Sequence, residues 1–312
     1  MTRELTNSMR NRFASCHRAF KFCYEDLKRP IKTSDALNFG TAMHQLLECY
    51  WLGVEAEYPH VDDEYTAMTL KALFEGYRNR WEEYDRNTYE TICTERAFKA
   101  PLMNPETGGI SKTFHLAGKI DALAKEKATG KVVIVEHKTT GQDIGPGSDY
   151  WRKLPIDGQV SGYYCGAEAI DYPASKCLYD VIRKPTIKPY KATPEDKRKY
   201  NKDGSLSKAC REFDETAEEW YERLSTDIAS RPDYYYARIE ISRSDNDLME
   251  YLFDMWAVSR EISDAQRMNR WSRNPQACSV FGTCEYFGVC TGEQDIDDVT
   301  LFRTAERANE EL

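Results

Sequence analysis

His115–Glu126, HLAGKIDALAKE, and residues 132–138, VVIVEHK, separated by a short turn containing ATGK, decide how this chain is read. The composition and the glycine between them predict two strands joined by a tight turn. Asp121 stands in the middle of GKIDAL. Glu136 and Lys138 are two residues apart, and side chains alternate across a strand, so both project from one face. Pairing of the two strands brings Asp121 beside them. VVIV reads as a strand buried on both faces. An acid and a lysine emerging from such a run are harder to explain by solvation than charges on a half-exposed sheet, which is the plainer reading of a lone D…ExK.

Upstream of the two strands, apolar residues recur at helical spacing over 5–24 and 36–51, with Ser34 or Asp35 available to cap the second helix, and again over 65–84. Residues 91–100 predict a further strand. Downstream come a Gly- and Pro-containing loop, GQDIGPGSD, a helix over 157–170 and a strand at CLYDVIRK. Residues 184–211, rich in Lys, Pro and polar side chains, predict an exposed and locally basic insertion. Its lysines, with Tyr190 and Tyr200, offer charge and stacking to a single strand of nucleic acid; the plainer reading is a solvated loop. An acidic helix over 214–229, a strand at YYYARIEIS and a helix over 245–268 follow.

Two carboxylates converging at one end of a sheet make a hard oxygen site suited to Mg2+ or Mn2+, and a neighbouring lysine can orient or help deprotonate water. That is the equipment of phosphodiester hydrolysis. Glu95, in the first predicted strand, is a weaker candidate for the same acidic cluster. Composition limits how nucleic acid is held: 43 Lys and Arg against 52 Asp and Glu leave a formal net charge of -9. The chain is therefore no general coat for DNA, and any contact must be local. The 41% hydrophobic content over 312 residues suffices for a sizeable core. The opening residues carry no apolar leader and no run spans a bilayer, so a cytoplasmic protein without membrane contact is expected.

These residues resemble the RecB-like branch of the PD-(D/E)XK nucleases, which includes the CRISPR-associated exonuclease and AddB-type helicase-nuclease subunits. GTAMH matches that family's Gly-x-x-x-His element, GKID its GxxD and EHK its ExK. The resemblance implies a metal held by His44, Asp121, Glu136 and the backbone carbonyl of His137, with Lys138 catalytic. QVSGYY supplies the family's Gln and Tyr as Gln159 and Tyr163, four apart on one helical face. The resemblance gives them the task of contacting DNA phosphate or supporting Lys138. The proline of the family's name is absent: Ile120 precedes Asp121.

Cys278, Cys284 and Cys290 recur as C-x5-C-x5-C among glycines and aromatics, a pattern better suited to turns around a bound group than to core packing. In a cytosolic chain thiols stay reduced, which favours ligation over disulfides. Iron-sulfur members of the resembled family take one further cysteine from near the N-terminus, which implies Cys16 and a 4Fe-4S cluster joining the two chain ends. Their usual first gap is two residues rather than five. A structural Zn2+ would also accept four thiolates.

The expected fold is α/β: a mixed central sheet flanked by helices, with helical N- and C-terminal segments meeting at the cluster. One nuclease domain is expected over 1–312, made of a helical part (1–90), a core (91–184), the basic insertion (185–211), a C-terminal part with the cysteines (212–291) and a tail (292–312). The expected activity is metal-dependent hydrolysis of DNA, exonucleolytic on single-stranded ends, in recombination, repair or phage DNA processing, with a helicase or recombination partner. A DNA-binding or assembly subunit with a nuclease fold, and a site-specific endonuclease, are the alternatives. The intact Asp121, Glu136 and Lys138 speak against the first, and no dedicated base-reading element supports the second.

Overall fold

A computed structural model describes residues 2–32, 35–280, 282–310 and 312, without the side chains of 35–37. Its hub is the strand β4 (Ile110–Glu126). Along one edge β4 pairs antiparallel with β3 (Tyr89–Met103). Along the other it pairs first with β1 (Arg3–Leu5, parallel) and then with β5 (Val132–Thr140, antiparallel). β6 (Ala174–Arg183) joins β5 in parallel and β7 (Tyr236–Ile241) closes the edge antiparallel, which completes a mixed sheet of six strands.

VVIV is covered on both faces, as its composition predicts. Val133 and Val135 enter the core under the helices α2 (Asp35–Leu52), α3 (Glu64–Thr88) and α5 (Ala217–Ser230), while Ile134 points into the core under α4 (Gly158–Ala169). Each such aliphatic side chain removed from water contributes about 1.5–3 kcal/mol, which fixes the register of β5 against its neighbours. Capping bounds the helices: the Asp157 carboxylate accepts from the Gln159 amide at the start of α4, and Thr216 with Glu219 forms a capping box on α5. Asp63, not foreseen, caps α3. Ser34 lies outside the described residues.

The N-terminal region departs from the expected single helix over 5–24. Residues 3–5 form β1, α1 spans Asn7–Ser15, and Cys16 is extended (φ -160°, ψ 115°) before a short second helical stretch. The helix therefore breaks at the cysteine. The last residues do not trail away either. β2 (Lys28–Pro30) pairs antiparallel with β8 (Phe302–Thr304), Tyr286 stacks on Phe302, and the buried Asn309 amide donates to Glu4. These contacts, with the helix α6 (Asp245–Met268), enclose a third core around Phe13, Phe20 and Met255. The insertion after β6 has one 3-10 turn, at Glu195–Lys197, as its regular structure. No helix among the described residues is long and apolar enough to cross a membrane.

Candidate active site

Glu136 and Lys138 leave the same face of β5 where its apolar run ends. The Lys138 ammonium donates to Glu136 Oε1 and, at 3.1 Å, to Gln159 Oε1. Gln159 in turn donates through Nε2 to the Tyr163 hydroxyl at 2.6 Å, a partnership that the four-residue spacing on α4 permits. Across the sheet, Asp121 Oδ2 accepts the His137 backbone N–H at 2.8 Å, and His44 of α2 approaches the same oxygen at 3.6 Å. Six residues singled out by sequence therefore converge. For His137 the atom seen against Asp121 is the amide nitrogen.

Glu95 joins them. It sits where β3 is framed by Thr94 opposite Ala122 and Arg96 opposite Ile120, which sets it across from Asp121. Its backbone is left-handed (φ 46°), a strained conformation for a side chain with a Cβ and one that concentrates at functional sites. One ligand atom each from His44, Glu95 and Asp121 lies within 4.8 Å of the others. Lys119, which the sequence reading passed over, ion-pairs with Glu95. His44, Glu95, Lys119, Asp121 and Lys138 line a cavity of about 630 Å³, with Glu48 and Gln45 on its α2 wall.

The electrostatics divide the carboxylates. Burial pushes Glu136 up to about 7, the Asp121 charge adds to this, and Lys138 only partly offsets it. Asp121 is also buried, but the hydrogen bond and charge of His44, with His137 and Lys138 behind, hold it well below the usual range. His44 is raised: burial opposes its charge and Asp121 outweighs that. Lys138 is raised against burial by Glu136 and then Asp121. Glu136 Oε2 is buried with no partner at hydrogen-bonding distance. A buried oxygen that lacks a donor, beside a second carboxylate and a histidine, fits a divalent cation with oxygen and nitrogen ligands.

The sequence profile of the PD-(D/E)XK nuclease superfamily matches residues 4–291. This chain belongs to that superfamily. PD-(D/E)XK nucleases use divalent metals, which agrees with the ligand atoms that His44, Glu95 and Asp121 bring together. A candidate exonuclease from Eubacterium rectale superposes with a TM-score of 0.51 at 12% identity, over 94% of this chain and 88% of that one. A phage-related exonuclease from Haemophilus somnus 129PT gives 0.33 at 13% identity, over 77% of this chain and 90% of that one. No curated protein matches. The mixed sheet flanked by helices is the architecture expected of a PD-(D/E)XK nuclease.

The four cysteines lie at the far end, where the chain termini meet. Cys16, Cys278 and Cys284 line one cavity of about 530 Å³ beside Arg12. Cys290 is raised first by burial and lies within charge range of Cys16 and Cys278. Among the described residues no three cysteine sulfurs lie within 4.8 Å of one another. In the insertion, the Tyr190 ring is held between Arg223 (4.0 Å) and Arg211 (5.6 Å), and Lys191 pairs with Asp214. Tyr190 and Tyr200 nonetheless remain exposed, so the insertion is the exposed segment its composition predicts.

Sequence reading missed a row of polar side chains that runs across the sheet from β5. His137, Asp180 of β6 and Arg238 of β7 stand in register across three strands, and Arg238 pairs with Asp85 of α3. The signal was present: an acid inside CLYDVIRK and an arginine inside YYYARIEIS interrupt otherwise apolar or aromatic strands.

Proposed function

We propose that this nuclease is a divalent-metal-dependent deoxyribonuclease that degrades single-stranded DNA from its ends. The observation carrying the proposal is Glu136: a fully buried carboxyl with an unpartnered Oε2, set between Lys138 and Asp121 beside an open cavity. His44, Asp121 and Glu136, with the His137 carbonyl, would hold the cation, and Glu95 adds a third acid. Bound there, Mg2+ or Mn2+ supplies charge for the phosphodiester transition state and lowers the pKa of water.

The chain's own residues do the rest. Gln159 holds the Lys138 ammonium in place and is itself held by Tyr163, so the lysine remains aimed at the carboxylates while its charge faces the cavity. Lys138 then offers a fixed positive group to a scissile phosphate and can orient the attacking water by donating a hydrogen bond to its oxygen. The His137 amide orients Asp121, while His44 keeps it ionised. In this reading residues 1–312 form one nuclease domain in the cytoplasm of a bacterial or phage-infected cell, working beside a helicase or recombination protein. Cys16, Cys278, Cys284 and Cys290 hold a 4Fe-4S cluster that ties the first helix to the C-terminal part, with a structural Zn2+ as the alternative; the cavity that Cys16, Cys278 and Cys284 line together supports a bound group there.

The test is digestion of end-labelled single-stranded, duplex and closed circular DNA with Mg2+ or Mn2+ by anaerobically purified protein, beside Asp121→Ala and Lys138→Ala. Metal-dependent release of labelled ends, absent in both variants, is the expected result. Cleavage untouched by either variant would discard the site. Cutting of closed circles would make it an endonuclease, and tight binding without cleavage an assembly subunit.

A further inference from the structure

Behind the active site, on the face of β5 opposite Glu136 and Lys138, lies a cluster of charges that the chemistry above does not use. Arg238, 6% exposed at its side chain, donates to both oxygens of Asp85 at 2.6 and 2.8 Å and reaches Asp180 Oδ2 at 2.9 Å. It also donates to the Tyr77 hydroxyl at 2.6 Å, and Tyr77 donates to Asp180. Tyr50 donates to Asp85 at 2.7 Å. His137 Nδ1 lies 3.4 Å from Asp180 Oδ2. Asp85, Asp180 and His137 are all buried.

Burying two carboxylates and a guanidinium is a poor way to stabilise a fold. Desolvation of such groups cancels most of their attraction, and apolar side chains of similar volume serve as well or better. What this cluster has that apolar packing lacks is direction, and its ends reach the active site twice. Asp180 meets the ring of His137, whose backbone N–H holds Asp121 and whose two neighbours are Glu136 and Lys138. Tyr50 lies on α2, the helix that brings His44 to Asp121.

We propose that Asp180, Arg238, Asp85 and Tyr77 are positioning residues that set the metal-binding geometry of the nuclease, by locking β5 and α2 into one register through His137 and Tyr50. This rests on the reading of His44, Asp121 and Glu136 as the cation site. Asp180→Asn keeps shape but removes the carboxylate charge that Arg238 pairs with and that the His137 ring approaches. Tyr77→Phe removes one hydroxyl from the centre of the cluster and keeps the ring. Loss of an outer group that orients metal ligands weakens metal binding by about 10–100-fold.

The experiment is calorimetric titration of Mn2+ into the metal-free protein without DNA, with thermal unfolding and oligonucleotide affinity measured on the same samples. Wild type and Asp121→Ala are run first, and Leu224→Ala, a cavity in the adjoining apolar core, serves as the comparator for lost stability. Expected are tenfold or greater weakening of Mn2+ binding in Asp180→Asn and several-fold in Tyr77→Phe, with oligonucleotide affinity unchanged and Leu224→Ala within twofold of wild type. Wild-type Mn2+ affinity in folded Asp180→Asn and Tyr77→Phe overturns the proposal, as does equal weakening in Leu224→Ala. Should Asp180→Asn not fold, Tyr77→Phe decides by the same criterion. Mn2+ binding that is identical in wild type and Asp121→Ala instead removes the cation site itself, and the positioning role falls with it.

Discussion

Glu136→Gln separates stability from function at this site. An unfolded glutamate ionises near 4.5, whereas burial and the Asp121 charge move Glu136 up to about 7 in the fold. A group raised in this way stabilises the fold when protonated. Its contribution is complete below pH 4.5, declines as pH rises and is lost once pH passes about 7. Forcing the charge into the metal-free fold at pH 8 therefore costs about 3 kcal/mol, at about 1.36 kcal/mol for each unit of displacement. Glutamine keeps the shape of the protonated acid and never ionises. Metal-free Glu136→Gln should thus exceed wild type by as much as about 3 kcal/mol at pH 8, and the two should converge as pH falls toward 5. Asp121 and His44 also make stability depend on pH. Asp121 stabilises above 3.8 and loses this as pH falls, and His44 stabilises below 6.5 and loses this as pH rises. Both remain in the variant, so the difference between the two proteins reports Glu136 together with its charge coupling to Asp121, His44 and Lys138. Urea unfolding in chelator between pH 5 and 8.5 measures it, and cleavage with Mg2+ should meanwhile fall by about 100-fold or more. A variant no more stable than wild type at pH 8, or a difference that does not change with pH, would refute the burial argument.

Lys138→Ala should reduce cleavage about 100-fold while leaving Mn2+ affinity equal or tighter, because it removes a positive charge from the cation's neighbourhood; calorimetry beside a rate assay checks both. Gln159→Ala, which frees Lys138 without removing it, should cost about tenfold in rate and little in metal binding. Cleavage at low Mn2+ should fall as pH drops below about 7, since Glu136 takes up a proton, and recover when Mn2+ is raised at the same pH; a profile indifferent to metal concentration would assign the titration elsewhere. Cys16→Ser should lower iron and acid-labile sulfide in anaerobically purified protein and reduce its melting temperature by several degrees; unchanged iron would remove Cys16 from the ligand set.

What was legible beforehand was what short spacing encodes. The alternation at GKIDAL and the unbroken VVIV located two paired strands, and the two-residue step from Glu136 to Lys138 placed both on one face without knowledge of the partners. Gln159 and Tyr163 were placed by the same logic on a helix. The boundaries of α6 were read correctly because Ser244 and Asp247 form a capping box at its start. β1, β2 and β8 were not legible. Each is three residues long, and each exists only because a distant segment pairs with it, Arg3 with Phe114 and Lys28 with Thr304. Helical spacing over 5–24 concealed the break at Cys16 for the same reason. The turn there bonds to the far end of the chain, with Arg18 N–H donating to the Ser272 carbonyl.

The insertion and the buried charges differ in how far their partners can be read ahead. Residues 184–211 are largely exposed, as their composition predicts, and Lys191 and Arg211 among their cations pair with Asp214 and Glu219 just beyond the end. Asp180 and Arg238, by contrast, read as single anomalies within apolar strands, and each alone would demand solvent. Once β6 and β7 are known to pair antiparallel, the two stand directly opposite, and the anomalies account for each other. An ionisable residue within a predicted core strand is therefore better treated as a search for its opposite number on another strand than as evidence against the strand. Here that search ends at His137, one residue from both Glu136 and Lys138.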